Sequence, residues 1–191
     1  MDDATFGPNG DRRAIFLDRD GVLNDAVVRD GMPHPPFSLE ELAVAHGAAE
    51  ACTALRCAGF LLIVVSNQPD IARGTATREQ VDAINDALRG ALQLDDVLVC
   101  PHDDADGCVC RKPQPGLLIE GARRWGVDLS SSFMIGDRWR DIEAGRRAGC
   151  TTVFVDLGHA ERRPERPDIT VSRLTDAVPL ILENPTVEGV R

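Results

Sequence analysis

The sequence predicts an α/β fold: a doubly wound, mostly parallel, three-layer sheet of Rossmann-like type. Three observations carry the prediction. Short apolar runs recur along the chain, helical patterns separate most of them, and small polar or acidic residues follow the runs at their carboxyl ends. Runs that are apolar throughout, rather than alternating, read as strands buried on both faces. Strands that alternate with helices form parallel sheets, and such sheets place ligands beyond the carboxyl ends of their strands.

Residues 1–12 are expected to be a flexible leader, 13–185 a single domain and 186–191 a tail; a length of 191 residues is enough for a sizeable core. The first strand, Ala14-Ile15-Phe16-Leu17, ends in Asp18-Arg19-Asp20-Gly21. Side chains two apart on a strand share a face, so both carboxylates serve one site, and Gly21 lets the chain turn behind them. One carboxylate can attack an electrophile while the other handles protons. The stretch from Asn24 to Ser38 carries Gly31, Pro33, Pro35 and Pro36, which makes it a loop or a hairpin, too short for a separate cap domain.

A helix over Ala48–Ala58 is closed by Gly59, and the strand Phe60–Val65 then ends in Ser66-Asn67-Gln68. Thr77-Arg78-Glu79-Gln80 has the form of a capping box and opens a helix to about Leu92, with Val81, Ile84, Leu88 and Leu92 at helical spacing. The third strand, Val97–Val99, ends in Cys100. A helix over Leu117–Trp125 stops at Gly126. The fourth strand, Phe133–Ile135, ends in Gly136-Asp137, and a helix over Trp139–Ala148 follows, with Gly149 as its cap. The fifth strand, Thr152–Val155, ends in Asp156. Asp168–Val171 is an edge strand and Thr175–Leu182 a terminal helix, with a surface loop around Pro164 and Pro167.

A net charge of −10 argues against a general nucleic-acid binder, and no run approaches the roughly 20 apolar residues that span a bilayer. The amino terminus lacks the apolar core of an export signal, so the expected location is the cytoplasm and no disulfide framework is expected. An anionic substrate needs a local positive pocket inside this acidic envelope. Twenty of the 21 basic residues are arginine, and the single lysine is Lys112, in Cys110-Arg111-Lys112-Pro113. A compact ammonium suits a tight phosphate site that a guanidinium would overfill.

Cys100, His102, Cys108 and Cys110 offer four metal ligands within eleven positions. Cys₃His is a tetrahedral zinc shell, and four protein ligands leave no open position, so the loop 100–110 reads as a structural zinc-bound loop. Cys52, Cys57 and Cys150 are expected to be small buried apolar groups.

Taken together, Asp18-Arg19-Asp20-Gly21, Ser66-Asn67-Gln68, Arg111-Lys112-Pro113 and Gly136-Asp137 with Asp141 resemble, in order, the four motifs of the haloacid dehalogenase superfamily of phosphatases. The zinc loop narrows the resemblance to the small subgroup without a large cap domain. The resemblance implies a nucleophile in Asp18 that becomes an aspartyl phosphate, and an acid and then base in Asp20. It implies a Mg²⁺ held by Asp18, the Asp20 carbonyl and Asp137, and phosphoryl binding by Ser66 and Lys112. Asn67, Gln68, Arg73, Arg111 and Arg138 are implied on the substrate side. Asp141 is open between that constellation and a purely structural place at a helix start, where it complements the dipole.

The subgroup acts on the 7-phosphate of D-glycero-D-manno-heptose 1,7-bisphosphate or on histidinol phosphate. Ile71-Ala72-Arg73-Gly74 and Arg111-Lys112-Pro113-Gln114-Pro115-Gly116 resemble the heptose branch; Pro69-Asp70 and the short zinc loop depart from it. A small phosphorylated sugar is thus the expected partner of a monomeric enzyme. A phospho-accepting receiver domain is the alternative from another class, disfavoured by Asp20 and the zinc loop.

Overall fold

The computed structural model describes residues 12–29, 32–158 and 160–184. Its centre is a six-stranded, all-parallel sheet. The strands are β1 (Ala14–Leu17), β4 (Leu61–Asn67), β5 (Asp96–Cys100), β6 (Phe133–Gly136), β7 (Thr151–Val155) and β8 (Ile169–Val171), in the order β5-β4-β1-β6-β7-β8. Two three-residue strands, β2 (Val27–Arg29) and β3 (Met32–His34), pair antiparallel as a separate hairpin. The open choice between loop and hairpin is therefore settled as a hairpin.

The chain first winds outward from β1 through β4 to β5, then returns to the other side of β1 for β6, β7 and β8. The carboxyl ends of β4, β1 and β6 diverge at this reversal, and such a switch point opens a crevice. Register brings the ends level: Leu17 pairs with Val64 on one side and Ile135 on the other.

Alternation along the strands divides the core into two layers. Ile15, Leu17, Leu62, Val64 and Ile135 face α1 (Ala48–Cys57), α3 (Arg78–Leu92) and α6 (Leu174–Leu182). Ala14, Phe16, Ile63, Val65 and Met134 face α4 (Gly116–Trp125) and α5 (Trp139–Ala148). The expected three-layer, doubly wound sheet is thus present, and the central strands β1 and β6 are buried on both faces. The Thr77 box forms as read: the Gln80 amide donates to Thr77 Oγ1 at 3.2 Å and the Thr77 amide to Gln80 Oε1 at 2.8 Å. A one-turn helix, α2 (Asp70–Arg73), was not anticipated.

Two local expectations change. Cys52 and Cys150 are buried but Cys57 is exposed, because it sits on the solvent side of the last turn of α1. Arg12, expected in the leader, is already tied to the domain: its carbonyl accepts from the Asp128 amide at 2.8 Å. The rest of the leader and the tail lie outside the described residues. None of the helices among the described residues is long and apolar enough to cross a membrane.

Candidate active site

Four side chains meet at the floor of the switch-point cleft. The Lys112 ammonium lies 2.6 Å from Asp18 Oδ1 and 2.6 Å from Asp141 Oδ1, and carboxylate oxygens of Asp18, Asp137 and Asp141 all lie within 4.8 Å of one another. Lys112 is only 2% exposed and Asp141 1%. Burial pushes the Asp18 carboxyl up to about 6, against the pull of Lys112 and with repulsion from Asp141 and Asp20 added. Burial also pushes Asp137 up to about 8, reinforced by Asp18 and Asp141. Burial alone would lower the Lys112 ammonium, but Asp141 and Asp18 outweigh it and hold the proton more tightly than usual.

The local chain folds to bring these groups this close. Gly21 has φ +93°, and a Cβ there would lie 2.5 Å from Asp137 Oδ2. A Cβ on Gly136 would lie 2.2 Å from Asp141 Cβ, so both glycines are needed for room, and Gly21 for its turn as well. Asp141 Oδ2 accepts from the Arg138 amide at 2.9 Å at the start of α5, while Oδ1 faces Lys112. Asp141 thus stands at the helix start and also in the carboxylate cluster. Asn67 makes a reciprocal pair with the Lys112 backbone, both bonds 3.0 Å, which fixes the lysine's origin on the loop.

Asp20 stands beside the floor and lines the cleft. Asn24 Nδ2 donates to its Oδ1 at 3.0 Å and Gln68 Nε2 to its Oδ2 at 2.8 Å. Gln68 also donates to Ser66 Oγ at 2.9 Å. Ser66 and Gln68 are both buried and neither lines the cleft, in contrast with Asn67. The amide of Gln68, expected on the substrate side, is thus committed to Asp20 and Ser66.

The cleft measures about 390 Å³. Arg73, Arg111, Arg138 and Arg140 stand on its rim, with His34 and Pro35 of the hairpin region opposite. Acidic partners orient each arginine. Arg73 makes two bonds to Asp103, at 2.7 and 2.8 Å, and holds that carboxyl down to about 2. Arg111 and Arg140 share Asp104 Oδ1, at 2.7 and 3.1 Å, and Arg138 reaches Asp137 and Glu161. Arg140 and the loop acids Asp103 and Asp104 were missed in the sequence; a helical Arg and an Asp-rich loop give no signal beyond ordinary surface charge.

The four expected loop ligands also converge. Cys100, Cys108 and Cys110 have sulfurs 3.2–3.6 Å apart, and His102 Nδ1 lies 3.3 Å from Cys110 Sγ. All six cysteines are free thiols. Three sulfurs and one imidazole around a common centre fit a tetrahedral zinc.

Comparison with known proteins agrees with this geometry. The HAD-hydrolase-like family model matches residues 109–177. D-glycero-β-D-manno-heptose-1,7-bisphosphate 7-phosphatase of Bordetella bronchiseptica is 35% identical over 158 residues, 78% of this chain and 84% of the relative. The chain belongs to the haloacid dehalogenase family of phosphatases. The crystal structure of D,D-heptose 1,7-bisphosphate phosphatase from B. bronchiseptica, complexed with magnesium and phosphate, superposes with a TM-score of 0.78 at 31% identity, covering 90% of this chain and 98% of that one. A HAD-like phosphatase from Mesorhizobium loti gives 0.72 at 30%, covering 95% and 90%.

Phosphatases of the haloacid dehalogenase family require Mg²⁺, and the floor of this cleft fits that ion. Three clustered carboxylates face one ammonium, so negative charge is in excess; that excess is part of why Asp18 and Asp137 resist ionisation. A hard divalent cation with oxygen ligands relieves it. Asp18, Asp137 and Asp141 are the side chains that would hold it.

Proposed function

We propose that this phosphatase removes the 7-phosphate of a D-glycero-D-manno-heptose 1,7-bisphosphate. One observation supports it above the others: the convergence of Asp18, Asp137 and Asp141 on Lys112 at the base of a cleft rimmed by four arginines. A single monoester would need charge only at the floor. A rim of guanidinium groups suits a second phosphate, which favours the bisphosphate over histidinol phosphate.

In this reading Asp18 attacks phosphorus as the bond to the sugar oxygen breaks, and Asp20 gives that oxygen its proton. Asp20 then takes a proton from water, which attacks phosphorus and releases inorganic phosphate from Asp18. Lys112 binds phosphoryl oxygens, whereas Ser66, expected to share that role, is buried off the cleft and accepts from Gln68. Asn67 fixes the lysine's backbone, and Arg73, Arg111 and Arg138 meet the distal phosphate. Mg²⁺, when bound by Asp18, Asp137, Asp141 and the Asp20 carbonyl, neutralises the charge spreading over the phosphoryl group. Lys112 does the same from the other side, already placed and dry. The Cys₃His loop holds a structural zinc and carries the acids that aim Arg73, Arg111 and Arg140. In this reading the enzyme is a cytoplasmic monomer.

The test is turnover with Mg²⁺ on both heptose bisphosphate anomers and on histidinol phosphate. Many equivalents of phosphate per chain are expected, with the highest kcat/KM on a heptose bisphosphate and none from Asp18→Asn. Preference for histidinol phosphate would overturn the substrate. One stable label per chain would instead indicate a receiver.

A further inference from the structure

Among the described residues Arg19 is the largest fully buried side chain, at 1% exposure, although it lies between two site aspartates. Burying a guanidinium is costly unless its charge and donors are satisfied. Here they are. Nε and Nη2 both approach the Asp20 carboxylate, at 3.0–3.2 Å to its two oxygens. Nη1 donates to Asn85 Oδ1 of α3 at 2.9 Å, and Asn85 is itself buried. Among the described residues Asp20 is the only carboxylate paired with Arg19. The Arg19 carbonyl accepts from the amides of Val22, Leu23 and Asn24, so the backbone that carries the guanidinium is held as well.

We propose that Arg19, braced from behind by Asn85, is the positioning residue that fixes the Asp20 carboxyl at the wall of the cleft. The inference rests on the phosphatase reading, in which Asp20 moves the protons. A planar fork that grips both oxygens sets the plane of the carboxyl as well as its place, which a lysine could not do. Asn24 and Gln68 each hold a single oxygen. Helix α3 contributes nothing else to the site, so Asn85 links the core layer under α1, α3 and α6 to the proton-transfer step. Misplacement of a proton donor by about 1 Å costs about 10²-fold in rate.

The probe is 4-nitrophenyl phosphate with Mg²⁺, followed by stopped flow. Its nitrophenolate leaves without a proton, so the first half-reaction does not need Asp20 as acid, whereas release of phosphate from Asp18 still needs it as base. Wild type should release nitrophenolate steadily. Arg19→Met and Asn85→Leu should give a burst of one nitrophenolate per chain at the wild-type rate, then turnover slowed about 10²-fold. Asn85→Asp keeps an oxygen for Nη1 and should restore steady turnover. A burst phase slowed as much as the turnover would mean that Arg19 only supports the fold, and unchanged or faster turnover would also overturn the proposal. If Arg19→Met does not fold, the contrast between Asn85→Leu and Asn85→Asp decides alone. Wild type with no phosphatase activity would overturn the parent reading, an outcome distinct from active wild type with unaffected variants.

Discussion

Replacing Asp137 with asparagine should stabilise the Mg²⁺-free protein while destroying its function, and the gain should grow with pH. Burial, with Asp18 and Asp141 beside it, pushes the Asp137 carboxyl up to about 8 from its ordinary 3.8. A folded carboxyl with a raised pKa keeps a proton that the unfolded chain releases. Stability therefore falls as pH rises from about 4 and reaches its floor above about 8. At 1.36 kcal/mol per pKa unit, the group costs roughly 1.5 kcal/mol at pH 5 and roughly 5 at pH 8. The variant should thus gain roughly 3.5 kcal/mol on wild type across that window, about 7–14 °C in Tm for a domain of this size. Asp18, pushed up to about 6, acts in the same direction in both proteins and drops out of the comparison. The assay is thermal unfolding from pH 5 to 8 in Mg²⁺-free buffer with zinc content checked. Added Mg²⁺ should raise the Tm of wild type and leave that of the variant nearly unchanged. A wild-type-to-variant difference that stays flat with pH would show that burial and the neighbouring carboxylates do not hold Asp137 protonated as placed.

Lys112→Met removes the ammonium but keeps the length. It leaves Asp18 and Asp141 buried without it and should cost about 3–5 kcal/mol by denaturant unfolding, with turnover lost. Gly136→Ala drives a methyl to 2.2 Å from Asp141 Cβ; expression yield and Tm should both fall, and a stable, active variant would contradict the packing. Thiol titration of the zinc-loaded protein should label Cys57 alone. Chelation should add Cys100, Cys108 and Cys110, whereas Cys52 and Cys150, pushed up to about 12 by burial, stay protected. Labelling of four thiols before chelation would mean that the loop holds no zinc.

The central strands β1, β4 and β6 were legible because both faces are buried. Each shows an apolar run whose end could be read to within two residues, and Asp18 and Asp137 follow directly from those ends. The Cys100–Cys110 loop was legible from spacing, since ligands for one ion must be close in space and here are close in sequence. What escaped depends on contacts between distant segments. Asp141 looked like a helix-start acid because its second role needs Lys112, 29 positions earlier, folded against it. Gln68 looked like a substrate ligand because its bonds to Asp20 span 48 positions. Cys57 was expected inside because α1 is short and the register of its last turn is weakly set by pattern. Arg19 lay within the motif that was read first, yet only the fold shows that its partner is on α3.

The charge layout resolves the tension between an acidic protein and an anionic substrate. With a net charge of −10, long-range attraction of a bisphosphate is not expected, so binding must come from groups fixed within the cleft. The protein fixes them by pairing. Each rim arginine is held by an aspartate or glutamate, which lowers the local net charge but also removes the freedom that a long side chain would lose on meeting a phosphate. The floor is built the opposite way: carboxylates outnumber the ammonium, and the deficit is one that a divalent cation can fill. Rim and floor are joined by a single stretch, in which Cys110 ends the metal loop, Arg111 turns to Asp104 and Lys112 reaches the carboxylates. One residue separates Cys110 from Lys112, so a metal held by the loop would also steady the backbone from which Lys112 reaches the floor.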